Sequence, residues 1–366
     1  MGFETQILPG DEAGSVARAA AALASGECVG MPTETVYGLA CNALDARAVA
    51  GVFEAKGRPS FDPLIVHVRD LAHGQSLAAF DATALTLAER FWPGPLTLVL
   101  PRKRVDGDEQ GGGAASFIVP DLVTAGLDRV GLRVPDHAVA QALLAASGLA
   151  LAAPSANRFG SISPTTAQHV ADELSGRVRY VLDGGPCRAG VESTVVSVEP
   201  AGEGGAARVV VLRLGATGVE AIEAALPGVR VWVRASSSDP RKQASVASQA
   251  AEGGASPLPS PGMTDRHYAP RTPLRWVDTI AQAEAVARAG RWGLIALGDV
   301  SASCEVFAET RSLARSGDLP EAAACLFAVM RELDASGLDG IVAVLLPEAG
   351  LGRAINDRLR RAGLAG

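Results

Sequence analysis

Four clusters carry the residue types that do chemistry, and they share positive charge, hydroxyls and main-chain donors. The first is Pro32-Thr33-Glu34-Thr35-Val36-Tyr37-Gly38-Leu39, directly after the apolar run Cys28 to Met31. Polar residues in a turn at a strand end commonly face a ligand crevice. The plainer alternative is a capping turn, with Thr33 as the cap and Glu34 at the helix N-terminus. The second is Lys56-Gly57-Arg58-Pro59. In an extended chain Lys56 and Arg58 point to one side. Beside a glycine that admits close approach, two such cations form an anion clamp. As a purely structural feature they would be a solvated basic turn at a helix C-terminus. His67 lies in the apolar run Leu64-Ile65-Val66-His67-Val68, where a lone histidine is more often a hydrogen-bonded core residue than a functional one.

The third cluster joins Gly131-Leu132-Arg133-Val134-Pro135 to Ala152-Ala153-Pro154-Ser155-Ala156-Asn157 and Ser161-Ile162-Ser163-Pro164-Thr165. Arg133 has apolar neighbours. An arginine buried alone is costly, so it calls for an acidic partner or an anionic ligand. The small residues at 153–165 offer hydroxyls and N–H groups at low steric cost. They suit a phosphate site, or a loop capping a helix that begins near Thr165. The fourth cluster, Gly190-Val191-Glu192-Ser193-Thr194-Val195-Val196, puts Ser193 and Thr194 at the start of a strand. Ser260-Pro261-Gly262-Met263 and Arg266-His267-Tyr268-Ala269-Pro270 close a Pro/Gly-rich stretch with side chains that favour a site, or dock a linker on a domain.

Other chemistries lack their residues. The only lysines are Lys56, Lys103 and Lys242, and none follows a glycine, which excludes a Walker-type phosphate loop. The five cysteines (Cys28, Cys41, Cys187, Cys304, Cys325) form no C-x-x-C, and the five histidines no H-E-x-x-H. No G-x-S-x-G occurs. What is present suits reactions ruled by positioning and charge stabilisation, such as phosphoryl or nucleotidyl transfer. A net charge of −7 and 4% aromatics disfavour a sequence-blind nucleic-acid binder. With no long apolar run and no basic leader, a cytoplasmic protein without a membrane span is expected.

The elements that must hold these clusters alternate between helix and strand. Helices are expected at 11–25, 45–55, 81–91, 136–147 and 217–225. Strands are expected at 28–31, 64–68, 96–100, 130–134, 149–152, 178–182, 193–198 and 208–214. Their irregular order predicts an α/β domain with a mixed sheet. The segment 104–115 reads as a glycine-rich surface loop. From 234 to 264 the chain has a Ser/Pro/Gly linker composition. Beyond it, strands at 274–277, 292–297 and 341–346 alternate with helices at 279–289, 320–333 and 352–361, a small doubly wound unit.

Taken in order, PTETVYGL (32–39), KGRP (56–59), PLIVHV (63–68), WPGPLTLVL (92–100), GLRVP (131–135), APSAN (153–157), SPT (163–165), ESTVV (192–196), SPGM…RHYAP (260–270) and GLGRAINDRL (350–359) resemble the YrdC-type threonylcarbamoyl-AMP synthases, in the form with a linker and a second C-terminal domain. The resemblance implies a YrdC-like α/β domain over 1–232, with a twisted mixed sheet and a concave, positively charged site. It implies a linker over 233–272 acting as a lid, and a small Rossmann-like α/β domain over 273–366. The implied reaction joins L-threonine, bicarbonate and ATP into threonylcarbamoyl-AMP and releases pyrophosphate, with magnesium accompanying the ATP. A separate transferase then places the threonylcarbamoyl group on tRNA beside the anticodon.

By the same resemblance Thr35, His67, Arg133, Ala153 and Ser193 face threonine, and Arg133 grips its carboxylate. Arg58, Ser155, Ser163 and Arg213 face ATP, Lys56 adds charge at the phosphates, and Tyr268 closes over the nucleotide. Lys56 and Arg58 are the implied catalytic pair, with no protein-bound metal. Asp62 and Arg129 occupy two further nucleotide positions where the family commonly has Asn and often has Thr. Two rivals stand beside this reading. One is a double-stranded RNA-binding module, with weak RNA contact as its milder form. The other is a carbamoyltransferase-like enzyme that forms carbamoyl-AMP.

Overall fold

The computed structural model describes residues 4–59, 61–105, 116–199, 208–234, 267–288, 290–300 and 306–363. Most of the 104–115 loop and of the linker, including Ser260 to Met263 and Arg266, lies outside the described residues, as does Cys304. Alanine-rich stretches form the helices and Val/Leu runs the strands, as their propensities favour. After β1 (Gln6–Pro9), helix α1 (Ala13–Ala24) turns Val16, Ala19, Ala20 and Leu23 to the core. Strands β2 (Val29–Met31) and β3 (Gly38–Asn42) then pair antiparallel.

The turn between β2 and β3 is the first polar cluster, and no helix starts there. Thr33 Oγ1 accepts from the Thr35 N–H at 3.2 Å and donates to the Val36 carbonyl at 2.7 Å. That closes a local turn and returns the chain to the sheet, so the capping alternative does not apply. The sequence pattern did not mark β3, since Gly38-Leu39-Ala40-Cys41-Asn42 has no β-branched residue.

The next elements are α2 (Ala46–Lys56), β4 (Ile65–His67), α3 (Leu71–Leu77), α4 (Ala82–Phe91), β5 (Leu96–Pro101), α5 (Asp121–Thr124), β6 (Arg129–Arg133), α6 (Ala138–Ser147), β7 (Leu151–Ala152), α7 (Ala167–Leu174), β8 (Tyr180–Asp183), β9 (Thr194–Glu199), β10 (Arg208–Arg213), α8 (Val219–Ala225) and β11 (Val231–Val233). The cap of α7 is Thr166, where a helix beginning near Thr165 is expected. One sheet orders the strands β1-β8-β2-β3-β7-β4-β6-β5-β9-β10-β11. Its pairing is mixed, as expected: β4/β6 and β5/β9 are parallel, β3/β7 and β5/β6 antiparallel.

The second sheet is parallel throughout. It comprises β12 (Leu274–Val277), β13 (Trp292–Ala296), β14 (Glu309–Ser312) and β15 (Gly340–Val344), ordered β12-β15-β13-β14. Helix α9 (Ile280–Val286) packs Ala283 against Leu294 and Val342 on one face. Helices α10 (Leu319–Ala335) and α11 (Leu351–Gly363) pack Leu326, Met330 and Ile355 against Ile295 and Ile341 on the other. This is the doubly wound arrangement the alternation implied.

The α10/α11 core does not stop at the second unit. It takes in Val36, Ile162, Val191 and Tyr268 from the polar clusters and the end of the linker. Gly190 makes the approach feasible. At φ +66° it faces α10 so closely that a Cβ would lie 2.3 Å from the Ala323 carbonyl oxygen.

Candidate active site

Parallel pairing of β4 with β6 sets His67 beside Arg133. Arg133 is almost wholly buried, and its partner comes from the first polar cluster: Glu34 Oε2 lies 2.7 Å from its Nη2. Its Nη1 donates to Thr35 Oγ1 at 2.9 Å and its Nε to the Gly94 carbonyl at 3.2 Å. Burial alone would raise the Glu34 pKa, but the charge and hydrogen bond of Arg133 hold it below the usual value. His67 is pushed down to about 3 by burial first and by the Arg133 charge second, so its ring is neutral near pH 7. A fixed guanidinium fork, a hydroxyl and a neutral imidazole on neighbouring segments suit a small zwitterion with a carboxylate.

A second group adjoins the first. Arg213 donates through Nε and Nη2 to the Ser193 carbonyl, at 3.2 and 2.9 Å, and from Nη2 to Ser193 Oγ at 3.2 Å. Ser193 Oγ also lies 2.8 Å from Thr97 Oγ1 of β5. Arg58 ion-pairs with Asp62 at 2.9 Å and donates to the Pro63 carbonyl at 2.9 Å. Tyr268, at φ +65° and 1% exposed, stacks on Phe327 of α10 with centroids 5.5 Å apart. These groups meet in one cavity of about 50 Å³ whose wall includes Thr35, Arg58, His67, Arg133, Ala153, Ser155, Ser193, Arg213 and Tyr268.

Four expected residues stand off that wall. Lys56 Nζ donates to the carbonyls of Ser155 and of Asn157, the latter at 2.5 Å, and so pins the 153–157 loop from behind. Burial, then the charge of Arg58, pulls its pKa well below the ordinary lysine value. Ser163 is buried and donates to Glu192 Oε1 at 2.7 Å. Asp62 is buried against Arg58. Arg129 donates to the Val99 and Val198 carbonyls at 2.8 and 2.5 Å and lines a separate small cavity with Thr97 and Val195.

Residues 21–215 match the Sua5/YciO/YrdC family model, described as telomere recombination, and residues 218–363 match the model described as threonylcarbamoyl-AMP synthase, C-terminal domain. The chain is 38% identical over 357 residues to the threonylcarbamoyl-AMP synthase of Bacillus subtilis, covering 95% of this chain and 92% of that protein. The chain belongs to the threonylcarbamoyl-AMP synthase family. The Pyrococcus abyssi synthase is 38% identical over 358 residues. The crystal structure of P. abyssi Sua5 complexed with L-threonine superposes with a TM-score of 0.78 at 36% identity, over 96% of this chain and 95% of that one.

The sequence leaves three residues of the site without an assigned role. Glu34 stands in the polar turn with no partner assigned, although the costly burial of Arg133 signals that an acid must be near. Thr97 sits in an apolar strand string and is invisible except through its neighbour Ser193. Glu192 lines the cavity, yet it read as part of a strand entry. His267, from the linker end whose side chains are expected to favour a site, also lines it, 4.2 Å ring to ring from Tyr268.

Proposed function

We infer that this protein condenses L-threonine, bicarbonate and ATP into L-threonylcarbamoyl-AMP with release of pyrophosphate, the first step of threonylcarbamoyladenosine modification of tRNA. The observation that carries the reading is the pairing in one cavity of the Arg133–Thr35–His67 group with the Arg58–Arg213 group, in a chain that matches curated synthases over nearly its whole length.

The threonine amine attacks bicarbonate and water leaves, which gives a carbamate. A carbamate oxygen then attacks the α-phosphorus of ATP, and the bond to pyrophosphate breaks. No protein nucleophile is needed. The protein holds two anions together and neutralises charge as it moves onto the leaving group. In this reading Arg133 grips the threonine carboxylate, with Thr35, His67, Ala153 and Ser193 around the side chain and amine. Arg58, Arg213 and Ser155 face the nucleotide. Lys56, Asp62 and Ser163 act from behind the wall, by holding the loops that form it.

Magnesium fits this donor set as the counter-ion of ATP, held by phosphate oxygens and water. Among the described residues no group of three or more His, Cys, Asp or Glu could hold a metal ion, and Asp62 and Glu192 are already paired with arginines. When bound with ATP it would screen the triphosphate. The division of labour proposed is a catalytic unit over 1–232, a linker over 233–272 whose described end brings Tyr268 to the cavity, and a bracing unit over 273–366. The product passes to a separate transferase in the cytoplasm. Among the described residues no helix is long and apolar enough to cross a membrane.

The test is pyrophosphate release from ATP, with threonine and bicarbonate each left out in turn. Dependence on both supports the synthase reading. ATP consumption without threonine would favour the carbamoyl-AMP alternative. No release even from the complete mixture, together with steeply salt-dependent RNA binding, would favour the RNA module.

A further inference from the structure

We propose that Arg358, on helix α11 of the second unit, is a positioning residue for the nucleotide half of the active site, clipping together the two segments that carry Ser193 and Arg213. The proposal rests on the reading that Arg213 faces ATP.

Arg358 is fully buried. Its Nε and Nη2 both lie 3.0 Å from Glu192 Oε2, and its Nη1 donates to the Leu214 carbonyl at 2.7 Å. Glu192 is the residue before Ser193, and Leu214 is the residue after Arg213. The two segments already run backbone to backbone. The Ala216 N–H donates to the Glu192 carbonyl at 3.0 Å, and a Cβ on Gly215 would meet that oxygen at 2.3 Å. One planar guanidinium therefore spans both, which a lysine ammonium does not reproduce. Through Glu192 Oε1 it also fixes Ser163, and its charge lies 5.3 Å from the Tyr268 ring centroid.

A buried ion pair adds little net stability over apolar packing, so what this one contributes is geometry. It also supplies the countercharge that lets Glu192 sit in the wall of a site for a polyanion. Ser193 has a second anchor in Thr97, so loss of Arg358 acts on Arg213 more than on the threonine side.

The experiment measures ATP and L-threonine binding separately by calorimetry on the full chain, for the wild type, Arg358→Met, Arg213→Ala and the double variant. Arg358→Met is expected to weaken ATP binding by about tenfold and threonine binding by less than about threefold. The double variant should bind ATP within about twofold of the weaker single variant, because both act through one group. Additive losses, parallel loss of threonine, or unchanged ATP binding would each overturn the proposal. A wild type that binds neither ligand sinks the activity reading and the proposal together; a wild type that binds both, matched by Arg358→Met, sinks the proposal alone. If Arg358→Met does not fold, Arg358→Lys decides. It keeps the charge but not the fork, and wild-type ATP affinity there would refute the clip.

Discussion

Two buried arginine–glutamate pairs serve one site and are built in opposite ways. Arg133 and Glu34 both belong to the first sheet and its turns, and their pair is open on one side: Arg133 and Thr35 line the cavity. Arg358 and Glu192 join two units, and the guanidinium is turned to Glu192, the Leu214 carbonyl and Asp357 rather than to the cavity. In the proposed reading the first pair keeps a cation poised for the threonine carboxylate. The second turns its arginine onto protein groups of both units. The same pairing would yield a receptor in one place and a brace in the other, according to whether the guanidinium borders the cavity.

The largest effect should come from breaking the brace. Removing one member of a buried pair costs about 3–5 kcal/mol, because the other charge stays buried, whereas removing both is often near neutral. Arg358→Met should therefore lower the denaturant midpoint strongly, and Arg358→Met with Glu192→Gln should recover much of the loss. Equal stability of the single and double variants would mean that Glu192 does not feel the Arg358 charge.

Arg133→Ala should act chiefly on threonine. Charge-assisted hydrogen bonds contribute about 1.5–3 kcal/mol each, so threonine affinity should fall by roughly 100-fold while ATP affinity changes little. Equal losses for both ligands would erase the distinction between receptor and brace.

The contact between the units can be probed at a glycine. Gly190 and Gly228 both have positive φ, at +66° and +83°, but a Cβ on Gly228 meets nothing within 4 Å. Gly228→Ala should cost about 1–2 kcal/mol, the price of a left-handed alanine. Gly190→Ala should cost about 1–3 kcal/mol more, because the added methyl presses on the backbone of α10. Matching losses would show that α10 yields freely there.

These regions also differed in how far they could be read beforehand. Strands β4, β6 and β9 stand out as apolar runs, and an arginine inside one of them announces a partner or ligand. That made Arg133 legible and Glu34 inferable in kind. Arg358 gave no comparable sign. It sits in a helix with buried polar residues on either side of it, Asn356, Asp357 and Arg361 among them, and helical periodicity says which face is apolar, not which unit that face meets. Short elements were lost for a related reason. β11 and β14 are edge strands of three and four residues, whose pairing is decided by the neighbouring strand.

The smallest effect concerns His67, the neutral member of the receptor. Its pKa of about 3 lies below the ordinary histidine value of 6.5, so the unfolded chain binds the extra proton between those limits. Stability contributed at His67 is present above pH 6.5 and is lost as pH falls toward 3. His67→Gln should flatten that acid slope. Ligand binding should show the same neutrality. If an imidazolium held the threonine carboxylate, affinity would fall about tenfold per pH unit above its pKa. With Arg133 holding the carboxylate, as proposed, threonine affinity measured by calorimetry at pH 6, 7 and 8 should change by less than about threefold. A steep decline across that range would transfer the carboxylate from Arg133 to His67 and undo the contrast between an open pair and a closed one.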